Sequence, residues 1–297
     1  IKYNKEIKMS KILSQKIKIA LIQLNGSSPN KSDNLNRAAR FIDMAMKKQP
    51  DTQIVVLPEC FNSPYAVTKF REYAEVISNE HKSESIDFLS KVASKYNITL
   101  VGGSIPEIDP VSNVYNTCPI FNGKGDLIDT HRKVHLFDID IPNGITFKES
   151  ETLSPGTKLT TFKTQYGNIG VGICYDMRFS ELSTISAREP NNAFAMIFPS
   201  AFNTVTGPMH WHLMARSRAV DNQMYTILCS PARNMDSSYH AYGHSLVCSP
   251  KGEIIAEAGE GEEIVYAELN PEEIETFRQS IPLLNQRRFD LYKDISK

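Results

Sequence analysis

The sequence predicts an α/β protein: a four-layer α/β/β/α sandwich with two mixed sheets. Three observations carry this expectation. Short apolar runs of strand type alternate with amphipathic helical stretches in both halves of the chain. Two hairpin signals interrupt that alternation, so the sheets must be mixed rather than purely parallel. No Pro/Gly/Ser-rich linker or shift in composition divides the 297 residues, so one layered core is expected.

In chain order, Lys18–Leu24 reads as a strand. Ser32 to Lys47 follows with Leu35, Ala38, Ala39, Ile42, Met44 and Ala45 at helical spacing, and Ser32 or Asp33 is the expected N-cap. Ile54–Leu57 is a buried strand; Ser85 to Tyr96 is helical, and Ile98–Val101 returns to strand. Asn116–Phe121 and Leu127–Leu136 flank Asn122-Gly-Lys-Gly-Asp126, a hairpin turn signal. Asn168 leads through Cys174 and a helix from Ser180 to Arg188 into the strand Ala193–Phe198. Pro208–Asn222 is a helix with proline near its start. Met224–Cys229 is a strand, and Ser249-Pro-Lys-Gly252 joins His244–Cys248 to Glu253–Glu257.

Composition narrows the function classes. Hydrophobic residues make up 41% and charged residues 23%, as in a soluble globular chain. With 33 basic and 34 acidic residues the net charge is −1, so nothing global points to nucleic acid or an anionic membrane. No apolar run approaches the ~20 residues that span a bilayer. The five cysteines are odd in number and widely spaced, which predicts free thiols in a reducing compartment. Residues 1–17 are expected to form a flexible, lysine-rich tail. It is arginine-free and poorly amphipathic, a weak fit to a mitochondrial presequence, so the expected compartment is the cytoplasm with the mitochondrion as the alternative.

The most informative residue is Cys174, between the strand-like run Ile169–Ile173 and the helix that follows. A thiol there sits near unpaired backbone N–H groups and the positive end of a helix dipole. Both are expected to favour thiolate, and the N–H groups to hold an oxyanion. A free cysteine is more often a small buried hydrophobe, so position alone does not decide. Two further polar residues share the setting. Glu59 follows the strand Ile54–Leu57 across Pro58, which cannot continue a ladder, and Lys133 closes the run from Leu127. Each alone reads as a surface charge. Together, a carboxylate takes the thiol proton and an ammonium stabilises the developing oxyanion.

Leu57-Pro-Glu59, His131-Arg-Lys133 and Gly172-Ile-Cys-Tyr-Asp176 resemble the three signature segments of the nitrilase superfamily of carbon–nitrogen hydrolases. The resemblance runs from about Lys18 to Tyr292. Pro58–Tyr65, Phe137–Pro142, Thr146–Ser150 and Pro199–Asn203 are most similar to the omega-amidase branch. It implies a carbon–nitrogen hydrolase domain over residues 18–280 and a homodimer or larger assembly; the apolar and aromatic residues of Arg287–Tyr292, with no packing pattern of their own, make the extension at 281–297 an expected dock on a partner subunit. The resemblance implies no metal and no organic cofactor. It maps Glu59 as general base, Lys133 as oxyanion stabiliser, Cys174 as nucleophile and Glu149 as a second carboxylate. The expected reaction releases ammonia from short dicarboxylate monoamides, 2-oxoglutaramate or succinamate, through a thioester. Tyr65 and Arg178 are candidates for the free carboxylate of the substrate, with Asp176 or Glu181 as a structural alternative for Arg178. The Tyr175 N–H is expected in the oxyanion hole and Phe202 as a pocket wall. Asn203 either donates a hydrogen bond or caps a turn. Ser180 and His212 stand where many relatives carry Pro and Glu.

The rival readings are a Cys–His hydrolase, a metal site at His131/His135 or His240/His244, and a catalytically silent binding module. Within the enzyme reading, a deaminated glutathione amidase is the alternative, since it uses the same three residues.

Overall fold

The structure, a computed structural model, describes residues 12–80, 83–140 and 146–291. Its first half contains β1 (Ile17–Gln23), α1 (Lys31–Lys48), β2 (Ile54–Val56), α2 (Phe70–Tyr73), α3 (Glu84–Tyr96), β3 (Thr99–Val101), β4 (Ile105–Ile108), β5 (Val114–Phe121) and β6 (Leu127–Arg132). A small hairpin, β7 (Asp138–Asp140) with β8 (Thr146–Lys148), leads into the second half. There follow β9 (Thr160–Thr164), β10 (Gly167–Val171), α4 (Ser180–Ala187), β11 (Ala193–Pro199), α5 (Thr206–Asn222), β12 (Tyr225–Cys229), β13 (Leu246–Cys248) and β14 (Ile254–Glu257). The chain then returns through β15 (Glu263–Leu269) to α6 (Pro271–Ser280) and α7 (Leu283–Gln286).

Two mixed sheets form. One runs β15-β1-β2-β3-β5-β4, with β6 also on β5; the other runs β14-β13-β12-β11-β10-β9. Each has parallel strands at its centre, β1–β2–β3 and β10–β11–β12, and antiparallel neighbours outside them. The period of two along a strand sorts side chains between the layers. From β1, Ile19 and Leu21 join Ile54, Val56, Ile169, Val171 and Ile227 in the core between the sheets. Ala20 and Ile22 turn the other way, onto Leu35, Ala38, Ile42, Leu89 and Ala93 of α1 and α3. On the opposite side Phe194, Met196 and Phe198 of β11 pack with Leu182, Trp211, Ala215 and Ala219 of α4 and α5. The four layers are therefore α1/α3, sheet, sheet, α4/α5, as the alternation predicts.

Both turn signals close as glycine turns. Gly125 (φ 85°) donates to Asn122 O at 2.9 Å, and Gly252 (φ 85°) donates to Ser249 O at 2.9 Å. The cap of α1 differs from expectation. Asn30, not Ser32 or Asp33, accepts the Ser32 N–H at 3.1 Å, because the helix starts a residue earlier. Part of the stretch expected as a flexible tail to residue 17 is packed. Leu13 is buried in the core and the Ser14 N–H donates to Tyr166 O at 2.9 Å, while residues 1–11 lie outside the described residues. Of the C-terminal extension, α7 packs against α5 and Arg188 lies 3.5 Å over the Phe289 ring; residues 292–297 are outside the described residues. All five cysteines are free and buried. Among the described residues no helix is long and apolar enough to cross a membrane.

Candidate active site

Parallel strands deliver the polar residues to one end of the sandwich. Past β2, the Leu57 N–H still donates to Val101 O at 3.0 Å; the chain then turns at Pro58. The turn is tight against Gly103 (φ 63°), where a Cβ would meet Pro58 O at 2.2 Å, so only glycine fits. Glu59 follows, 1% exposed. Lys133 lies just past β6 and is fully buried, its N–H donating to Asn116 O and its carbonyl accepting from the Gly156 N–H, both at 2.8 Å. Glu149 opens a short 3-10 turn after β8 and is also fully buried.

Cys174 comes three residues after β10 and opens a 3-10 turn, Cys174–Arg178, ahead of α4. Its backbone is left-handed, φ 46°, a conformation that costs a β-carbon residue on the order of 1–3 kcal/mol. Asp176 holds the turn. Its N–H donates to Ile173 O at 3.0 Å, and its Oδ2 accepts the Ile173 N–H at 2.9 Å. The same buried carboxylate takes His131 Nε2 at 3.0 Å and, on Oδ1, His135 N and Nδ1 at 2.9 and 2.8 Å. These donors, set against the cost of burial, hold Asp176 well below the usual carboxylate range.

The four expected residues come together. Lys133 Nζ lies 3.1 Å from Glu59 Oε1 and 2.9 Å from Glu149 Oε1. Tyr65 OH donates to Glu149 Oε1 at 2.9 Å and sits 3.5 Å from Glu59 Oε1. Glu149 Oε2 accepts the Phe137 N–H at 2.8 Å. Asn116 Nδ2 donates to Glu59 Oε1 at 2.9 Å. Glu59 Oε2 has no conventional N–H or O–H donor, and the nearby Cys174 thiol favours its charged form.

Burial raises the Glu59 pKa and the Glu149 charge adds to the rise, against the pull of Lys133. Burial alone would lower Lys133, but Glu149 and Glu59 outweigh it and keep the ammonium charged. Cys174 differs from expectation. Its thiol is pushed well up, first by burial and then by Glu59, with Lys133 and the Ala201 backbone N–H opposing. A five-residue 3-10 turn supplies little dipole, so desolvation wins and the resting group is a thiol that needs a base. Tyr65 is likewise held protonated by burial and the two carboxylates.

The outer candidates divide. Tyr65 belongs to the cluster, packed edge-on against Phe70 and 4.5 Å from the Tyr239 ring. Tyr175 packs 5.2 Å from Phe137, and Phe202, expected as a pocket wall, is buried 5.2 Å from Trp211 and does not line the cavity beside the cluster. Arg178 bonds neither Asp176 nor Glu181. Its Nη1 lies 3.2 Å from His210 Nδ1, and its guanidinium lies over Phe202 and Tyr175 at 5.0 and 5.6 Å. Asn203 caps a turn: Oδ1 accepts the Val205 and Thr206 N–H groups at 3.0 and 2.8 Å. The sequence reading missed Asn116, Tyr239 and the Ala201 N–H.

The histidine rivals lose their partners. His131 and His135 serve Asp176, His210 pairs with Arg178, and His212 and His244 share Glu257 at 2.8 and 3.0 Å. Among the described residues no group of three or more His, Cys, Asp or Glu side chains is placed to hold a metal ion. A cavity of about 140 Å³ adjoins the cluster, lined by Glu59, Ser63, Tyr65, Ala201, Asn234 and Tyr239 among others. A larger open groove of about 520 Å³, by Asn122 and Tyr166, shares no residue with it.

Residues 18–279 match the family described as carbon-nitrogen hydrolase. The chain is 69% identical over 288 residues to the Saccharomyces cerevisiae protein named omega-amidase NIT3, covering 97% of this chain and 98% of that one. It is 51% identical over 275 residues to the human omega-amidase NIT2, covering 93% and 96%. The crystal structure of Saccharomyces cerevisiae Nit3, titled a member of branch 10 of the nitrilase superfamily, superposes with a TM-score of 0.88 at 66% identity, covering 94% of this chain and 99% of that one.

Proposed function

The chain belongs to the carbon-nitrogen hydrolase family, and from that premise we propose that it is an omega-amidase using Cys174 as nucleophile. The substrates are short dicarboxylate monoamides: 2-oxoglutaramate, giving 2-oxoglutarate, and succinamate, giving succinate. One observation carries this reading: a buried lysine bridges two buried carboxylates beside a buried cysteine, and one oxygen of Glu59 is left without a donor. A purely structural cluster gains little from three desolvated charges and an open acceptor, which argues against a silent binding module.

Glu59 takes the Cys174 proton as sulfur attacks the amide carbonyl and the C–S bond forms. Lys133 and a backbone N–H, of Tyr175 or Ala201, hold the oxyanion; donors of this kind are worth about 3–4 kcal/mol each. The tetrahedral species collapses with cleavage of the C–N bond, and Glu59 passes its proton to the departing ammonia. A water then gives a proton to Glu59 and attacks the thioester; the C–S bond breaks and the proton returns to sulfur. Glu149 and Tyr65 hold Lys133 and Glu59 in place.

Arg178, bonded to His210 and to no carboxylate among the described residues, takes the free carboxylate of the substrate. The identity of 69% and 51% to proteins named omega-amidase supports the short substrates over deaminated glutathione. Val205, at the N-cap of α5, and Met209 and Leu213 within it are exposed and four apart, a face suited to a second copy in a homodimer.

Cys174→Ala tests the assignment. It abolishes ammonia release without changing the circular dichroism, and mass spectrometry of quenched wild-type enzyme shows an acyl adduct on Cys174. Substantial residual turnover by the variant contradicts it.

A further inference from the structure

We propose that Asn116 is a positioning residue that assigns the two oxygens of Glu59 to different tasks, holding Oε1 still so that Oε2 alone carries the proton. This deepens the amidase reading above and rests on it.

The argument starts from the strand. Asn116 lies on β5 among apolar neighbours, with Val114, Cys118 and Ile120 buried in the core, and is itself 2% exposed. A buried amide in such a strand carries a desolvation cost and must be held by partners. Asn116 partners both halves of the site. Its Nδ2 donates to Glu59 Oε1 at 2.9 Å, and its backbone carbonyl accepts the Lys133 N–H at 2.8 Å. One residue therefore sets the distance between the base and the cation.

Glu59 Oε1 receives Asn116 Nδ2 and Lys133 Nζ at 2.9 and 3.1 Å, with Tyr65 OH at 3.5 Å. Its Oε2 receives no conventional donor although it is buried. An oxygen already accepting two strong donors is a poor site for a proton, and a bare one is a good site. The amide orientation follows from the same chemistry. An ionised Oε1 accepts only, so Nδ2 must face it, and Asn116 Oδ1 is left without a partner.

A merely structural asparagine would alter stability. A positioning asparagine also alters the protonation of Glu59: its N–H stabilises the carboxylate form, so removing it makes Glu59 hold its proton to higher pH. The experiment uses the full chain with Asn116→Ala and Asn116→Ser. It measures kcat and KM for succinamate across pH, the rate of Cys174 alkylation by iodoacetamide across the same range, and the thermal midpoint. The expected result is a fall in kcat of tenfold or more, KM changing less than threefold, and the acid limbs of kcat/KM and of alkylation both moving up by half a pH unit or more. If the Ala variant does not fold, the Ser variant, which fills part of the space, is read alone. A fall in kcat with both limbs unmoved overturns the proposal, as does unchanged kcat. Alkylation needs no substrate. If the wild type releases no ammonia from succinamate, the amidase reading fails while the alkylation limb still reports how Asn116 acts on Glu59 and Cys174.

Discussion

Asp176 Oδ2 lies 3.0 Å from His131 Nε2, and this bond ties the turn that presents Cys174 to the strand that leads into Lys133. His131 precedes Lys133 by two residues and Asp176 follows Cys174 by two, so a single buried contact fixes the spacing of Cys174 and Lys133. Asp176→Asn keeps the shape but loses the charge that several donors converge on. Losing hydrogen bonds to a buried charge costs about 1.5–3 kcal/mol. The folded protein holds the Asp176 carboxyl below its ordinary value, so its contribution to stability is complete above about pH 4 and is lost as pH falls through the folded value. Denaturant unfolding at pH 7 is expected to show the loss, with kcat down at least tenfold. The gap between wild type and variant should narrow toward pH 2; a gap independent of pH would contradict the role of the charge.

The acid limb of kcat/KM should sit above the ordinary carboxylate range. Glu59 must be ionised to accept the thiol proton, and burial together with Glu149 raises its pKa. Activity is therefore lost as pH falls through a value higher than a solvent-exposed glutamate shows. Glu149→Gln removes the neighbouring charge and is expected to move that limb downward. An unmoved limb would separate Glu149 from the titration of Glu59.

Lys133→Ala leaves Glu59 and Glu149 buried and facing each other without the ammonium that bridges them at 3.1 and 2.9 Å. The two carboxylates then share a proton, which disables the base while the oxyanion loses its donor. A loss of 100-fold or more in kcat is expected, larger than for Tyr65→Phe, which removes one neutral donor from Glu149. Comparable losses for both variants would mean that Lys133 acts only by position.

The alternation of strands and helices was legible because it obeys local periods, and Glu59, Lys133 and Cys174 were legible as candidates, because each stands where a strand exits. Their convergence was not derivable from spacing alone, since Glu59 leaves one sheet and Cys174 the other. Asn116 was illegible for the same reason. Its value appears only in the antiparallel register of β5 on β6, Thr117 opposite Arg132, which sets Asn116 beside Lys133. Asp176 is, from the sequence, only one of two alternative partners for Arg178; its histidines arrive from the end of β6 and beyond, more than forty residues away in sequence. The thiolate expected at Cys174 failed because a local argument from helix dipoles ignored burial, which the sequence does not display at one residue. The strand β15 pairs with β1 at seven positions, yet no strand was expected there, although Ile264, Val265 and Tyr266 are of strand type.

The central claim is a short-substrate amidase built on Cys174, Glu59 and Lys133. Its most direct test is kcat/KM for ammonia release from 2-oxoglutaramate and from deaminated glutathione, measured side by side on one preparation. A preference of tenfold or more for 2-oxoglutaramate is expected, ~1.4 kcal/mol in the transition state. Equal values, or a preference for deaminated glutathione, would contradict it.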